Sequence, residues 1–363
     1  MSNAKPGQSF APVPNYQTEL ISTKLKRKTK SFIVRKIANT PLQFALYRSY
    51  WHYILSADKT ENYSEIKSTH FLAQVPNYGA GIGHQLANWN SGWYFANFFK
   101  VRFAHVCFSN SKWENFFDFG HGEAQAPDIL KNKKFRVVQL PRFDSLNHEE
   151  VSLVGRIIDS YKKHHVLFFL ELDQGYVRQW DTYRTLSDKF FKAKAREKDM
   201  LIYSPDKFNI AIHIRRRMKI EPDEVWRKRG LDNSYYANIL TRVLSALNYS
   251  RNVEVYLFSQ GNKNDFPEFE KFDNIRYCHE MGPVATVLHL VNADLLIGSK
   301  SSFSYKPALI SRAIQICPKT FWHEYPPDPN YILADDSGEF NIDQLLTQLH
   351  SSNKLRLSYN SLE

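Results

Sequence analysis

The chain is poor in cysteine and has no long apolar run. Its only cysteines, Cys107, Cys278 and Cys317, are widely separated and form no C-x-x-C pair. This excludes a disulfide scaffold and a thiolate zinc site, and it favours a reducing compartment. No stretch approaches the roughly 18 to 20 apolar residues of a membrane-spanning helix, and the N-terminus lacks the apolar core of a secretory signal. We therefore expect a protein of the cytoplasm or of the cytoplasmic face of a membrane.

Acidic residues are outnumbered by basic ones. The 363 residues include 48 Lys and Arg against 37 Asp and Glu, which gives a formal net charge of +11. Such an excess indicates an anionic partner, which could be nucleic acid, a lipid surface or a phosphorylated ligand. With 43% hydrophobic residues the chain has the composition of a folded protein, and at about 150 residues per domain its length favours two domains.

Residues 1–65 differ in composition from the rest. They contain a basic run made up of Lys24, Lys26, Arg27, Lys28, Lys30, Arg35 and Lys36. After it, the apolar residues between Phe44 and Ile54 have the spacing of a helix with one aromatic face. One interpretation is peripheral contact of Lys24–Lys36 with an anionic membrane surface. The other is a solvated helix packed on the body of the protein.

From about residue 70, short apolar runs alternate with helical segments. Strands are predicted at 70–75, 103–108, 135–140, 166–172, 208–214, 253–259, 294–298 and 313–317, and helices at 85–99, 234–247, 283–291 and 302–311. Alternation of this kind is typical of α/β domains with parallel sheets. We expect two doubly wound Rossmann-like domains that face a cleft, at 66–203 and 204–335, between the basic N-terminal helical extension and a helical tail at 336–363. In such sheets, ligands bind beyond the carboxyl ends of the strands.

A glycine-rich turn follows the first predicted strand. Gly79, Gly81 and Gly83 lead into a helix and are followed by His84 and Gln85. Glycines permit a close backbone approach, and the free N–H groups at a helix start favour an anion or a sugar hydroxyl. The spacing differs from that of the dinucleotide fingerprint G-x-G-x-x-G, so a tight turn without a ligand is the alternative.

Arginines cluster at the end of the strand predicted at 208–214. His213, Arg215, Arg216 and Arg217 follow a run of buried apolar residues. A guanidinium group can bind two phosphate oxygens at once, so a diphosphate is the expected guest. The alternative is a charged strand end that pairs with the acidic residues at 221–224.

A serine-rich turn precedes the helix predicted at 302–311. Ser299, Ser301 and Ser302 place hydroxyl groups and N–H donors where a helix dipole favours phosphate. Simple helix capping is the alternative, although one serine would be enough for it.

The order of these three segments resembles that of the α-1,2/α-1,6-fucosyltransferase superfamily. Its members carry G-x-G-N-Q, H-x-R-R-x-D and S-S-F-S in this order. The present chain has Gly81-Ile-Gly-His-Gln, His213-Ile-Arg-Arg and Ser301-Ser-Phe-Ser-Tyr. The strand at 253–259, which ends at Ser259, and the pair Ala293-Asp294 also resemble the nucleotide-binding half of that family. The similarity spans residues 72 to 315.

The resemblance implies a GT-B-type, inverting and metal-independent enzyme that uses GDP-fucose as donor and a glycan as acceptor. Arg215 would hold the β-phosphate, with Arg216 or His213 beside it. The remaining implied contacts are Ser301, Ser302 and Phe303 to the diphosphate and sugar, Asp294 to the guanine, and Gly81, Gly83, His84 and Gln85 to the sugar or acceptor.

Two departures from the family pattern affect the expected chemistry. His84 replaces the usual Asn, and Arg217-Met218 replaces the x-D that follows the two arginines. Glu221, Asp223 or Glu224 could supply the missing carboxylate as an orienting group or general base, and we take Glu221 as the candidate.

Other chemistries lack their motifs. The chain has no D-x-D that would hold a divalent cation, no P-loop and no G-x-S-x-G elbow. The arginine cluster would then neutralise the diphosphate without a metal or other cofactor. Two alternatives remain, namely the same fold with another nucleotide sugar, and a basic module that binds an anionic surface or nucleic acid without catalysis. Because no nucleic-acid motif is present, we expect no nucleic-acid partner.

Overall fold

The computed structural model describes residues 42–56, 70–170, 178–217, 222–249 and 252–351. The basic run at 24–36 lies outside these residues. The described chain begins with two short helices, α1 (Leu42–Ala45) and α2 (Arg48–Leu55), which pack against the first domain through Phe44, Tyr50 and Tyr53.

The first domain contains a five-stranded parallel sheet. Its strands are β1 (His70–Gln74), β2 (Arg102–His105), β3 (Ala124–Gln125), β4 (Arg136–Gln139) and β5 (Val166–Leu170), in the spatial order β3-β2-β1-β5-β4. Because helices cover both faces, β1 and β5 are nearly continuously buried; β5 is apolar throughout, and β1 is apolar between His70 and Gln74.

Five helices surround this sheet. They are α3 (Ile82–Phe98), α4 (Ser111–Phe117), α5 (Ala126–Lys131), α6 (His148–Asp159) and α7 (Tyr183–Lys192). Asparagine side chains cap two of them, since Asn110 accepts from the Lys112 N–H and Asn147 from the N–H groups of Glu149 and Glu150.

The second domain contains a six-stranded parallel sheet. Its strands are β6 (Phe208–Ile214), β7 (Val253–Ser259), β8 (Ile275–Tyr277), β9 (Leu295–Ile297), β10 (Ile314–Pro318) and β11 (Tyr331–Ala334), in the order β11-β10-β9-β6-β7-β8. The helices are α8 (Asp223–Arg229), α9 (Asn233–Ala246), α10 (Pro283–Asn292), α11 (Ser302–Ile310) and α12 (Ile342–Ser351). The predicted fold class, two doubly wound α/β domains, is confirmed by these two parallel sheets.

The helix at the C-terminal end of the described chain packs on the second domain. Helix α12 belongs to the core of the second domain, where Leu345 and Leu349 are buried with residues of β6, β7 and α9. Its apolar residues at a spacing of four supply the reason, because they form one face that must be covered.

The two domains share one hydrophobic core. Val287, Leu288 and Leu309 of the second domain are buried in the same cluster as Leu86 and Trp89 of the first. Helix α11 packs against both α3 and α7. The cleft between the sheets is therefore closed at its base by apolar packing.

Among the described residues, no helix has the length and apolar character needed to cross a membrane.

Candidate functional site

A cavity of about 560 Å³ lies between the two domains. Its second-domain wall is built from residues at or just beyond the carboxyl ends of β6, β7, β8 and β9, which is where a parallel sheet places its ligands. The sequence-predicted residues that line it are Gly81, Gly83, His84, His213, Arg215, Arg216, Ser259, Ser301, Ser302 and Phe303. All three motif segments therefore meet at one cavity.

The glycine turn brings the first domain into direct contact with the serine turn. Gly81 is the N-cap of α3 with φ −64°, and a Cβ built on it meets nothing within 4 Å. A Cβ on Gly83 would instead lie 2.8 Å from the Ser302 Cβ and 3.0 Å from its carbonyl oxygen. Gly83 thus permits a domain contact that any other residue would obstruct, whereas Gly81 leaves open space in the cavity.

His213 is held beneath the cavity in its neutral form. Its Nδ1 lies 2.5 Å from the Ser304 Oγ, and its ring centroid lies 5.3 Å from that of Phe303. Burial, with a smaller contribution from the charge of Arg215, lowers the pKa of His213 to about 4. The imidazole therefore adds hydrogen bonding, but no positive charge, to the site near neutral pH.

Ser299 fixes the point at which β6 ends. Its Oγ accepts from the Arg215 backbone N–H at 3.0 Å and donates to the His213 carbonyl oxygen. The Tyr236 hydroxyl donates to the same Oγ at 3.0 Å, and burial raises the pKa of this tyrosine. These hydrogen bonds tie the backbone of Arg215 to the turn that follows β9. The Arg215 guanidinium lies 5.6 Å from the centroid of the Trp226 ring.

The three adjacent arginines diverge once the strand ends. The Arg216 guanidinium lies 4.2 Å above the Phe266 ring and donates to the Asp265 carbonyl oxygen at 2.6 Å. Arg217 is exposed, forms an ion pair with Asp223 and does not line the cavity. Of these three arginines, Arg215 and Arg216 line the cavity and Arg217 does not.

The serine turn presents the start of helix α11 to the cavity. Ser301 is the N-cap, and its Oγ accepts from the Phe303 N–H at 3.2 Å. The Ser304 Oγ accepts from the Ser299 N–H at 3.1 Å. Lys300 also contributes to the lining, although its buried side chain donates to Asp336 at 2.7 Å. The turn therefore combines a capping role with a wall of hydroxyl and N–H groups.

Asp294 lies at the opposite edge of the sheet from the cavity. It precedes β9, and its carboxylate accepts from the Asn209 backbone N–H at 2.8 Å. This is the amino end of the sheet, so the structure does not bring Asp294 to the site predicted for the guanine. Its contact instead joins the starts of β6 and β9.

Gln85 and the acidic candidates are also away from the cavity wall. Gln85 is buried; its side chain donates to Ser109 at 2.7 Å and accepts from the Ser109 N–H at 2.9 Å, which holds the loop after β2. Glu221 lies outside the described residues. Asp223 and Glu224 are exposed on α8, where Glu224 pairs with Lys228.

Several lining residues were not singled out as site residues. Arg229 at the end of α8 stacks over the Trp322 ring at 4.0 Å, and both line the cavity. Trp322 follows the last predicted strand, and an aromatic residue at that position is a signal for a ligand platform. Other lining positions outside the predicted set follow β7 and β8 or start α10, among them Gln260, Cys278, His279, Met281, Pro283 and Thr286.

A buried polar network lies behind the serine turn. The Lys306 Nζ donates to the Gln179 Oε1, and the Gln179 Nε2 lies 3.4 Å from the His323 Nδ1. Burial lowers the pKa of Lys306 well below its usual range, and burial together with the charge of Lys306 lowers that of His323 to about 3. Lys306 therefore joins the domains and stays away from the cavity wall.

One cluster among the described residues has the composition of a metal site. His105, Cys107 and Glu114 place their ligand atoms within 4.8 Å of one another. The Trp89 indole N–H donates to the His105 Nδ1 at 3.2 Å, so the ring proton lies on Nε2, which donates to Glu114 at 2.9 Å. A metal on Nε2 would require the proton to move to Nδ1, opposite the indole donor, and these residues therefore fit a hydrogen-bonded cluster better than a metal site.

A scan against protein-family models and a search of curated proteins both return no match. Solved structures similar to the chain include POFUT1 in complex with GDP, with 11% identity, a TM-score of 0.40 and coverage of 67% of this chain and 95% of that one. An Arabidopsis thaliana FUT1 mutant with GDP has 9% identity, a TM-score of 0.39 and coverage of 83% and 79%. E. coli heptosyltransferase WaaC with ADP has 10% identity, a TM-score of 0.36 and coverage of 78% and 98%. Likenesses at this level define neither a substrate nor an activity.

Proposed function

We propose that the chain is an inverting glycosyltransferase that binds a nucleotide sugar in the cavity between its domains, with GDP-fucose as the donor and a glycan hydroxyl as the acceptor. The observation that carries this proposal is the meeting of residues 81–84, 213–216 and 301–303 at one cavity. These are the segments whose sequences resemble fucosyltransferase motifs, and they come from both sides of the cleft.

The leaving diphosphate would bind against the second domain. Arg215 and Arg216 offer guanidinium groups, and the start of α11 offers backbone N–H groups and the Ser302 hydroxyl. As the bond to the sugar breaks, negative charge grows on the diphosphate. Cations held in fixed positions therefore stabilise the transition state more than the ground state. With the diphosphate charge stabilised by arginines and helix N–H groups, the proposed reaction requires no metal ion.

The acceptor would enter from the side of the glycine turn. Gly81 leaves room there, and His84 lines the same wall. His213 is an unsuitable general base because it is buried and occupied by Ser304. We assign the acceptance of the hydroxyl proton to His84, since imidazole is the side chain most often used for this role. The variant His84→Asn should lower kcat about 100-fold or more with little change in donor affinity.

The test of the proposal is an assay of fucose transfer, read as a mass shift over a panel of glycan acceptors. Arg215→Ala should remove transfer and weaken GDP binding about 10- to 100-fold, the loss expected for charge-assisted bonds worth about 1.5 to 3 kcal/mol. Arg217→Ala is the matched control, because Arg217 is exposed and paired with Asp223. If Arg215→Ala leaves both GDP affinity and turnover at the wild-type level, the assignment of this arginine fails.

The second candidate donor is a different nucleotide sugar, whose diphosphate would make the same proposed contacts with Arg215, Arg216 and the start of α11. The lining beyond β7 and β8 includes Gln260, Cys278, His279 and Thr286, whose polar groups could recognise more than one base. Titration with GDP, ADP, UDP and CDP separates the candidates. A preference for GDP supports GDP-fucose, whereas a clear preference for another diphosphate assigns another donor to the same cavity.

A further inference from the structure

Helices α1 and α2 carry an apolar surface that the rest of the described chain leaves uncovered. Leu42 is 64% exposed, Leu46 46%, Trp51 49% and Leu55 81%. We call these four residues the N-terminal apolar patch. Trp51 and Leu55 lie on one face of α2 together with Arg48, since residues three and seven positions apart in a helix point in similar directions.

The patch belongs to an anchored element. Contacts of α2 with the first domain fix its position, since the Ser49 Oγ donates to the Gln139 carbonyl oxygen at 2.7 Å. The His52 ring stacks on Tyr161 with centroids 3.8 Å apart. The Trp51 indole N–H donates to the Ala45 carbonyl oxygen at 2.8 Å, which ties α2 to the end of α1. Because its only donor is satisfied within the protein, the indole can enter an apolar environment without leaving an unpaired N–H.

The chain that leads into the patch is strongly basic. Between residues 20 and 57 there are eight Lys and Arg and no Asp or Glu. Seven of them lie in the run from Lys24 to Lys36, and the eighth, Arg48, lies on the exposed face of α2. A polybasic sequence that directly precedes exposed Trp and Leu residues in the chain matches an anionic lipid surface, where charge attracts and apolar side chains insert. A second copy of the chain fits less well, since it would bring two such basic runs together.

We propose that the N-terminal apolar patch binds an anionic lipid surface at the boundary of the acyl chains, and that the basic sequence at 24–36 adds charge attraction to the headgroups. This surface lies on the first domain beside the edge strand β4. It is separate from the cavity, so the inference does not depend on the proposed transferase activity. A chain bound in this way would act on acceptors close to a membrane.

The test is co-sedimentation of the full chain with vesicles of phosphatidylcholine alone and of phosphatidylcholine and phosphatidylserine in equal amounts. We expect binding to the second kind only, about tenfold or more tighter than to the first, and weakened by salt. Replacing the seven basic residues of the run by Gln should abolish the preference. Trp51→Ser with Leu55→Ser should weaken binding about tenfold or more.

Leu146→Ser is the matched control, because Leu146 is also an exposed leucine, at 57%, but lies among Asp144, Glu149 and Glu150. It should bind vesicles like the wild type. Thermal unfolding of each variant checks that the fold is retained. Absence of vesicle binding, or binding that is equal for both vesicle types and unaffected by the patch variants, overturns the proposal.

A second readout detects another occupant of the patch. The difference between the fluorescence spectra of the wild type and Trp51→Phe reports Trp51 alone. We expect emission typical of an exposed indole in buffer and a blue shift on addition of phosphatidylserine vesicles. An emission that is already blue-shifted in buffer and does not respond to vesicles would show that residues 1–41 or a second copy covers the patch, and would overturn the proposal.

Discussion

Gly83 and Gly81 are neighbouring glycines with opposite surroundings. Gly83→Ala should destabilise the protein by about 1 to 3 kcal/mol, because the new Cβ would press on the backbone of Ser302 and the turn has no room to yield. Gly81→Ala should change stability by less than about 0.5 kcal/mol, since its site is open and its φ of −64° suits alanine. Denaturant unfolding measures both. Equal effects of the two substitutions would contradict the contact described for Gly83.

His213 should make the protein sensitive to acid. Its folded-state pKa is lowered from 6.5 to about 4 by burial and by Arg215. The unfolded chain therefore takes up a proton below about pH 6.5, whereas the folded chain does not until about pH 4, so stability falls across that window and is retained above it. Between pH 7 and pH 5 the loss should be about 2 kcal/mol, at about 1.4 kcal/mol for each pKa unit.

The measurement is urea unfolding of the wild type and His213→Gln at both pH values. The variant should lose less stability on acidification than the wild type, whatever its stability at pH 7. His323, whose pKa is also lowered, contributes equally to both proteins and cancels in the comparison. An identical pH dependence of the two proteins would show that His213 does not titrate in this way.

The sequence was informative for residues just beyond strands and less so elsewhere. Arg215 and Ser301 were predicted from their positions after β6 and β9, and both line the cavity. Asp294 precedes β9, so the direction of a parallel strand already places it at the far edge. Arg217 was grouped with Arg215 and Arg216 because the three are adjacent in sequence, but the strand ends at Ile214 and no longer fixes where the following side chains point.

Helix α11 is the element that links the site to the fold. Its first turn forms the cavity wall, and Leu309 near its end is buried in the core shared by both domains. Leu309→Ala should destabilise the protein by about 2 to 5 kcal/mol because it leaves a cavity in that core. The same substitution at Leu130, a half-exposed residue of α5, should have a small effect.

Unfolding followed by far-ultraviolet circular dichroism and by tryptophan fluorescence tests this role of α11. Both probes should report one shared transition, shifted to lower denaturant in Leu309→Ala. A variant that unfolds in two separated steps, with only one domain destabilised, would contradict a shared core.

The helices and strands were predictable to the extent that they are long and apolar. Strands β6 and β7 have the bounds that the sequence indicated, because each is seven residues long and buried along almost its full length. Strands β3 and β8 have only two and three residues and are partly exposed, so no apolar run marks them. These residues form strands because their backbone groups pair with those of the neighbouring strand in the sheet.

At the scale of the whole molecule, the cavity exists only because two domains meet. Composition suggested an anionic partner for the net charge, and the sequence contains two separate basic clusters that contribute to it. Arg215 and Arg216 line the cavity between the sheets, whereas the run from Lys24 to Lys36 precedes the apolar patch on the first domain. The contact between Arg229 and Trp322, which are 93 residues apart in the chain, could be recognised only from the structure, because no local sequence pattern indicates it.

The central claim is that this cavity binds a nucleoside diphosphate through protein cations and helix N–H groups. Calorimetric titration of the wild type with GDP, in the presence of EDTA, tests it most directly. We predict saturable binding of one GDP for each chain, at the same affinity with and without EDTA. Absence of binding by GDP, ADP, UDP and CDP alike, or binding that appears only when a divalent cation is supplied, would contradict the account.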